Sequence, residues 1–182
     1  MKKILYAAVA LVTSCIAMSS CGDSDNSWEE YTQWRNTNYA WYLACKDSTV
    51  NGVKYYQELA PSWSPKSGVL IHYFNDRSQT VGNLQPMLTS TVAVKYKGML
   101  YNGVTFDSTT VATADSVRSF ELTGLIEGWQ IALQDMRVGD TCEIVLPYTV
   151  GYGVNGTTGI SPYSTLKFGL KLVDIPAYEI RD

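Results

Sequence analysis

The chain has 182 residues, enough for one main domain with a real core and too few for two large ones. Apolar residues make up 46% of it and charged residues 17%, which excludes a disordered tail and indicates a folded globular protein. The formal charge of −3 would become −5 without residues 1–20, which hold two lysines and no acidic residue, so a nucleic-acid partner is not expected.

The N-terminus has the features of a bacterial secretory signal. Two lysines precede an apolar run from Ile4 to about Val12, which is too short to span a membrane, and small residues follow. We predict that residues 1–20 are removed and that Cys21, which precedes the polar stretch "GDSDNS", becomes a lipid-acylated N-terminus in the cell envelope. Cys15 is a competing lipidation site, and an ordinary cleaved signal with an incidental cysteine is the other alternative.

Residues 21–67 are expected to form a tether, an extra N-terminal helix and a linker. Aromatic residues recur there at helical intervals, which predicts an amphipathic helix over about 28–46 whose stripe packs on the main domain or on a second copy. Residues 47–67 contain an Asn-Gly pair and two prolines, so we predict a loop with at most a short turn of helix. The aromatic stripe consists of Trp28, Tyr31, Trp34 and Trp41, and Cys45 continues it.

From Gly68 onward, apolar and polar residues alternate with a period of two, which is typical of half-buried antiparallel strands. Strands are predicted in "GVLIHYFND", "STVAVKYKGML", "TCEIVLP" and "STLKFGLKLVDI". In the last of these, Leu166, Phe168, Leu170 and Leu172 share one face.

A single helix interrupts these strands, in "IEGWQIALQDMRVGD". Trp129, Leu133 and Met136 fall on one of its faces, and Gly139 is the predicted C-cap. Strands with one short helix and no alternation of strand and helix predict an α+β fold with a mainly antiparallel sheet, which we assign to residues 68–182.

The stretch "GYGVNG", residues 151–156, matches the glycine pattern of dinucleotide-binding loops. Such loops lead directly into a helix, whereas "TTGISPYST" follows here and contains helix-breaking residues. We therefore expect neither a nucleotide nor any other cofactor. His72 is the only histidine and is expected to be a surface or edge-strand residue, so zinc sites and Ser-His catalysis are excluded. Cys45 and Cys142 could form one disulfide or remain separate thiols.

Four sequence blocks, in order and spacing, resemble the FKBP-type peptidyl-prolyl cis-trans isomerases. They are "VAVKYKGMLYNGVTFDST", "FELTGLIEGWQIALQDMRVGDTCEIVLP", "GYG" and "GISPYSTLKFGLKLVDI". The resemblance covers about residues 68–175. It implies a curved antiparallel sheet wrapped around one short helix, with a shallow apolar pocket between them.

The resemblance also implies roles for particular residues. Trp129 would be the floor of the pocket, and Asp107 would accept a hydrogen bond from Tyr96 and face the carbonyl carbon of the twisted amide. Tyr152 would donate its hydroxyl to a substrate carbonyl, and the backbone N–H of Ile126 would hold another. The remaining walls and flap would be formed by Phe106, Phe120, Leu125, Ile126, Ile160 and Phe168. A plainer interpretation is that Trp129, Tyr96 and Phe168 are ordinary core and that Asp107 caps a turn.

The function implied is a prolyl isomerase that assists the folding of exported proteins. Its partners would be proline-containing polypeptides, macrolide ligands of the FKBP type and a membrane reached through the lipid anchor. The alternative is a module that binds proline peptides or acts as a chaperone with weak or no catalysis. The sequence departs from the family pattern in three places. Leu125 stands where a valine is common, Ser161 stands where a proline is frequent, and the polar segment of residues 108–119 follows an uncertain path.

Overall fold

The computed structural model describes residues 27–62, 65, 68–109 and 116–178. The predicted leader with Cys15 and Cys21 lies outside these residues. Two helices flank an antiparallel sheet, which confirms the α+β class. The helices are α1 (Ser27–Asp47) and α2 (Glu127–Asp135), and the strands are β1 (Thr49–Val50), β2 (Val53–Lys54), β3 (Gln57–Leu59), β4 (Val69–Tyr73), β5 (Thr91–Leu100), β6 (Thr105–Ser108), β7 (Arg118–Glu121), β8 (Thr141–Leu146) and β9 (Leu166–Ala177).

Seven of the described strands form one antiparallel sheet. Six of them follow the order β3, β4, β8, β9, β5, β6, and the seventh, β7, also pairs with β5. Strands β9 and β5 are the two longest strands of this sheet, and β5 pairs with β9 along nearly the whole length of β5. On the other edge of β5, β7 pairs with residues 91–94 and β6 with residues 97–99. The two short strands therefore continue one another along the same edge, and both lie beside the site described below.

Helix α2 packs against one face of the sheet and forms the main core. Alternating apolar residues of β5, β8 and β9 are buried there, among them Leu166, Phe168, Leu170 and Leu172, which the sequence assigned to one face. Trp129, Leu133 and Met136 of the α2 region face them, as their spacing predicted. Burial of so many apolar side chains on one face is the main stabilising contribution, at about 25 cal/mol for each Å² removed from water.

Helix α1 covers the opposite face of the sheet. Tyr42 packs there with Tyr56, Leu70 and Val145 in a second buried cluster. Leu70 and Val145 point away from α2, so without α1 two large apolar side chains would face water. The helix extends one residue beyond the predicted range at each end. Of its stripe, Trp41 and Cys45 pack on this second cluster, Trp34 packs on the main core, Tyr31 contacts Tyr163 of a loop, and Trp28 is 72% exposed.

Residues 47–67 differ from the loop that the sequence predicted. Strands β1 and β2 form a tight hairpin because Asn51 and Gly52 both adopt positive φ, of 53° and 78°, as a type I′ turn requires. Strand β3 then joins the main sheet through β4. The prediction overlooked the strong hairpin signal of the Asn-Gly pair.

The C-terminal boundary of α2 also differs from the prediction. The helix ends at Asp135, four residues before Gly139, because Met136 is already extended and buries its side chain in the core. Gly139 lies in the following turn with φ of 98° and donates its N–H to the carbonyl of Leu172.

The carboxylate of Asp140 closes that turn. It is fully buried and accepts hydrogen bonds from Thr80 Oγ1 at 2.7 Å, Asn75 Nδ2 at 2.9 Å and the backbone N–H of Arg137 at 2.9 Å. Arg77 Nε lies 3.3 Å away. Burial by itself raises the pKa of this carboxyl, but these donors and the guanidinium together bring the pKa below its ordinary value.

Cys45 and Cys142 are both free, so of the two alternatives the separate thiols are the one observed. Burial raises the pKa of each thiol, which makes both poor nucleophiles. Among the described residues, no helix is long and apolar enough to cross a membrane.

Candidate active site

A cavity of about 210 Å³ opens between the first turn of α2, strands β5, β6 and β9, and the loop that follows β8. Nine of the ten pocket residues named from the sequence line it, together with Gly124. The lining residues are Tyr96, Phe106, Asp107, Phe120, Gly124, Leu125, Ile126, Trp129, Tyr152 and Phe168. Ile160 is the exception: it is 4% exposed and packs in the main core.

The indole of Trp129 lies at the bottom of this cavity, in the first turn of α2. It is 4% exposed. Three aromatic rings meet it edge to face, with centroid distances of 5.1 Å to Tyr96, 5.2 Å to Phe168 and 6.2 Å to Phe120. Such edge-on contacts are favourable and directional, so they fix the plane of the indole. Trp129 is therefore both a core residue and part of the cavity lining, and the two interpretations of the sequence do not exclude one another.

Two glycines of the sequence blocks allow the cavity walls to approach closely. A Cβ at Gly98 would lie 2.7 Å from Phe106 Cζ and 2.7 Å from Phe168 Cε1, so no larger residue fits while these rings keep their places. A Cβ at Gly128 would lie 2.6 Å from the side chain of Leu146, which sets how closely α2 approaches β8. The motifs "Tyr-x-Gly" and "Ile-x-Gly-Trp" thus have a packing reason.

A small polar group lines one side of the cavity. The hydroxyl of Tyr96 donates to Asp107 Oδ2 at 2.6 Å, and the N–H of Ser108 donates to Asp107 Oδ1 at 2.8 Å. Arg118 Nη1 donates to the Tyr96 oxygen at 3.1 Å and lies 3.8 Å from Asp107 Oδ1. Desolvation, followed by the hydrogen bond to Asp107, raises the pKa of Tyr96, so the phenol stays protonated and can keep donating.

Arg118 is a member of this group that the sequence gave no reason to select. It follows residues 110–115, which lie outside the described part of the chain, and only the pairing of β7 with β5 brings it next to Tyr96. Gly124 was also missed, because a residue without a side chain carries no chemical signal.

Tyr152 reaches the cavity from the loop between β8 and β9. Its side chain is 36% exposed, and burial together with the charge of Asp107 raises its pKa, so the hydroxyl remains a donor at neutral pH. The loop consists of a 3₁₀ turn at Tyr148–Val150 followed by further turns, and an isolated bridge joins Thr157 to Ile160. The glycines of "GYGVNG" thus belong to a turn-rich loop, whose next regular element is strand β9.

The only histidine lies apart from the cavity. His72 is on β4, an inner strand, and is half-buried with its ring stacked on Tyr55 at 3.9 Å, so its placement at an edge or on the surface was wrong. Its Nδ1 lies 2.7 Å from the carbonyl of Tyr55. These contacts give it a structural explanation.

The cavity can therefore hold a compact apolar ring and offer a few hydrogen bonds. Its walls are mostly aromatic, and its titratable groups are one carboxylate and two phenols. No group of three or more potential metal ligands occurs in the described residues. Such a cavity suits binding and conformational selectivity more than bond cleavage.

The part of the chain that lines this cavity is similar in sequence to known proteins. A sequence model described as FKBP-type peptidyl-prolyl cis-trans isomerase matches residues 82–173, which is half of the chain and includes every lining residue. The chain is 39% identical over 90 residues to the FKBP-type peptidyl-prolyl cis-trans isomerase FkpA of Escherichia coli, covering 50% of this chain and 33% of that protein. It is 36% identical over 130 residues to the FKBP-type 22 kDa peptidyl-prolyl cis-trans isomerase of Escherichia coli, covering 69% of this chain and 60% of that protein.

The fold is also found among solved structures. The crystal structure of FkpA from Escherichia coli superposes with a TM-score of 0.68 at 24% sequence identity, over 85% of this chain and 65% of that chain. At this identity the likeness establishes the fold. The chain matches only a third of the first curated relative and 60% of the second.

Proposed function

The chain belongs to the FKBP-type peptidyl-prolyl cis-trans isomerase family, and on this premise we propose that it accelerates the cis-trans isomerisation of X-Pro bonds in exported polypeptides. The observation that carries the proposal is the aromatic cavity of about 210 Å³ with Trp129 at its floor and the Tyr96–Asp107 pair at its side. We assign the isomerase unit to residues 68–182.

The reaction explains why an apolar cavity suffices. An X-Pro amide rotates through a twisted state in which the nitrogen has lost its conjugation with the carbonyl, over a barrier of about 18–20 kcal/mol. No covalent bond forms or breaks, so no nucleophile is required. A site that binds the twisted amide about 7 kcal/mol more tightly than the planar forms would accelerate rotation about 10⁵-fold.

In this proposal the proline ring sits on the Trp129 indole, within the walls made by Phe106, Phe120 and Phe168. The edge-on rings around the indole hold its plane in one orientation. Leu125 closes the side nearest the start of α2. Burial of the pyrrolidine ring anchors the substrate, so that the flanking carbonyls meet the polar groups of the cavity.

The polar groups would stabilise the twisted amide and the chain on either side of it. Tyr152 would donate its hydroxyl to a substrate carbonyl. Ile126 is the N-cap residue of α2, so its backbone N–H falls outside the intrahelical hydrogen bonds and could hold a second carbonyl. Asp107, held by Tyr96 and by the N–H of Ser108, would face the carbonyl carbon of the twisted amide.

We further propose that the protein works in the bacterial cell envelope, anchored through Cys21 after removal of residues 1–20. The support is the lysine-led apolar leader and the polar stretch that follows it. Mass spectrometry of the membrane fraction tests this proposal: an acylated peptide that begins at Cys21 supports it. A mature N-terminus at another residue, or an unmodified Cys21, contradicts it.

An isomerisation assay on a short X-Pro peptide tests the proposed activity. The expected result is acceleration that an FKBP-directed macrolide abolishes, because the macrolide would occupy the same cavity. Binding of the peptide without acceleration, in a protein whose circular dichroism shows an intact fold, would favour the alternative of a proline-peptide-binding or chaperone module. If the peptide is neither bound nor isomerised faster, both proposed functions are contradicted.

A further inference from the structure

We propose that α1 is a working part of the catalytic site, because it positions the loop that carries Tyr152. This inference rests on the proposed isomerase function. The helix lies outside residues 82–173, the part of the chain that matches the family model. Hydrogen bonds and ring contacts nevertheless connect it, through residues 148–165, to the wall of the cavity.

The first connection is at the end of the loop, immediately before β9. The N–H of Thr165 donates to Asn38 Oδ1 at 2.8 Å, and the hydroxyl of Thr165 donates to the Asn38 carbonyl at 3.0 Å. The Asn38 side chain is fully buried and also donates to the carbonyl of Trp34 at 2.9 Å. Asn38 therefore bonds to the loop with both its backbone and its side chain, and the helix holds the orientation of that side chain.

The second connection is at Tyr163, which has a left-handed backbone with φ of 59°. This conformation is unfavourable for a residue with a large side chain, so surrounding contacts must hold it. Tyr31 meets the Tyr163 ring at 5.4 Å in an edge-on contact, and the Arg35 guanidinium lies over the same ring at 5.7 Å. Tyr148, from the start of the loop, packs on it at 4.9 Å.

Tyr163 is joined in turn to the residue beside Tyr152. Its N–H donates to the carbonyl of Gly153 at 3.0 Å, and the N–H of Gly153 donates to the carbonyl of Tyr148 at 2.9 Å. The carbonyl of Tyr152 itself accepts from the N–H of Gly156 at 3.1 Å. A shift of Tyr163 would therefore move the backbone that aims the Tyr152 hydroxyl.

The geometry of α1 fits this role. Tyr31, Arg35 and Asn38 are spaced by four and three residues, so they lie on one face of the helix and meet the loop together. Gln33 and Asn36 lie on the opposite face and are exposed. Variants on the first face therefore test the contact with the loop, and variants at Gln33 and Asn36 serve as controls.

The test compares the double variant Tyr31→Ala/Arg35→Ala with the control Gln33→Ala/Asn36→Ala in the full chain. We expect the first to lower kcat/KM for an X-Pro peptide at least fivefold and the control to change it less than twofold. Combined with Tyr152→Phe, the first variant should cause little further loss, because both changes disable the same hydroxyl. Full additivity of the two losses, or equal activity of test and control variants, would overturn the inference.

Amide hydrogen exchange gives a readout that does not depend on activity. In Tyr31→Ala/Arg35→Ala, the Tyr163 amide should exchange at least tenfold faster while the amides of β5 and β9 keep their rates. An inactive wild type would refute the proposed isomerase function. The positioning of the loop by α1 is tested separately, and an unchanged Tyr163 exchange rate in the double variant would refute it. If the double variant does not fold, Tyr163→Asn serves instead, because asparagine tolerates the left-handed backbone and removes the ring contacts. In that variant we expect kcat/KM to fall at least fivefold and the amide at position 163 to exchange at least tenfold faster, and no change in either would overturn the inference.

Discussion

Replacing Gly98 by alanine tests whether close packing of the cavity walls supports activity. The new methyl group would lie 2.7 Å from both Phe106 Cζ and Phe168 Cε1, whereas carbon atoms normally pack at about 3.5–4.0 Å, so the rings must retreat by about 1 Å. Overpacking of this kind costs about 1–3 kcal/mol, partly offset by about 0.4–1 kcal/mol from a less flexible unfolded chain. We expect the melting temperature to fall by about 2–8 °C.

The same change should also reduce catalysis. A displacement of about 1 Å in residues that position a substrate can cost about 100-fold in rate, so we expect kcat/KM for an X-Pro peptide to fall about 10–100-fold. Thermal unfolding and the peptide assay measure the two effects on the same preparation. A loss of stability without a loss of activity would mean that the ring positions do not matter for the reaction.

Gly169→Ala is the matched control, because Gly169 pairs with the neighbouring residue of β5 and its Cβ would meet nothing within 4 Å. We expect this variant to be as stable as the wild type or slightly more stable, with unchanged kcat/KM. If Gly98→Ala behaved like Gly169→Ala in both assays, the packing argument would be refuted.

Three further predictions concern the charged and titratable groups. Asp107→Val should lower kcat/KM at least about tenfold, equivalent to about 1.4 kcal/mol of lost transition-state stabilisation. The melting temperature should change little because the Asp107 side chain is half-exposed. An unchanged kcat/KM would contradict the assignment of Asp107 to the site. The kcat/KM should stay flat between about pH 6 and 9, because the raised pKa values of Tyr96 and Tyr152 keep both phenols protonated; a titration in that window would contradict the site. Asp140→Asn should destabilise the fold by about 3 kcal/mol at neutral pH, measured by urea unfolding. Because the folded pKa of Asp140 is lowered, the stability that its carboxylate contributes is present above about pH 3.9 and is lost as the pH falls further. The difference in unfolding free energy between variant and wild type should therefore shrink in acid. A difference that stays constant with pH would contradict a contribution from the ionised carboxylate.

Strands β4, β5, β8 and β9 and helix α2 were predictable because one face of the sheet is buried against a single helix. Period-two alternation in β5 and β9 reports directly on that half-burial. The burial of Leu70 and Val145 was not predictable, because it depends on α1 crossing the second face. A strand pattern records that a position is apolar and does not record what covers it.

Boundaries and connections were predicted less well for identifiable reasons. The hairpin at Asn51-Gly52 had a clear local signal that two prolines nearby obscured. The end of α2 at Asp135 depends on Met136 entering the core, a tertiary preference that outweighs the glycine at position 139.

The candidate site could be predicted in composition but not in all its contacts. The motifs that resemble the FKBP-type family were sufficient to name most of the lining, on strands, on α2 and, for Tyr152, in the loop after β8. The position of Arg118 beside Tyr96 follows from strand pairing across a long connection, which no local pattern encodes. Ile160 lies in the loop that was expected to form the flap, but it is buried in the core and does not line the cavity.

The most direct test of the central claim is exchange NMR spectroscopy of an X-Pro peptide mixed with a small amount of the protein. Cis-trans exchange of the peptide should speed up, and titration with the peptide should shift the indole N–H resonance of Trp129 more than those of the tryptophans in α1. Exchange that stays at the uncatalysed rate while the protein remains folded would contradict the claim. So would faster exchange with no change at Trp129.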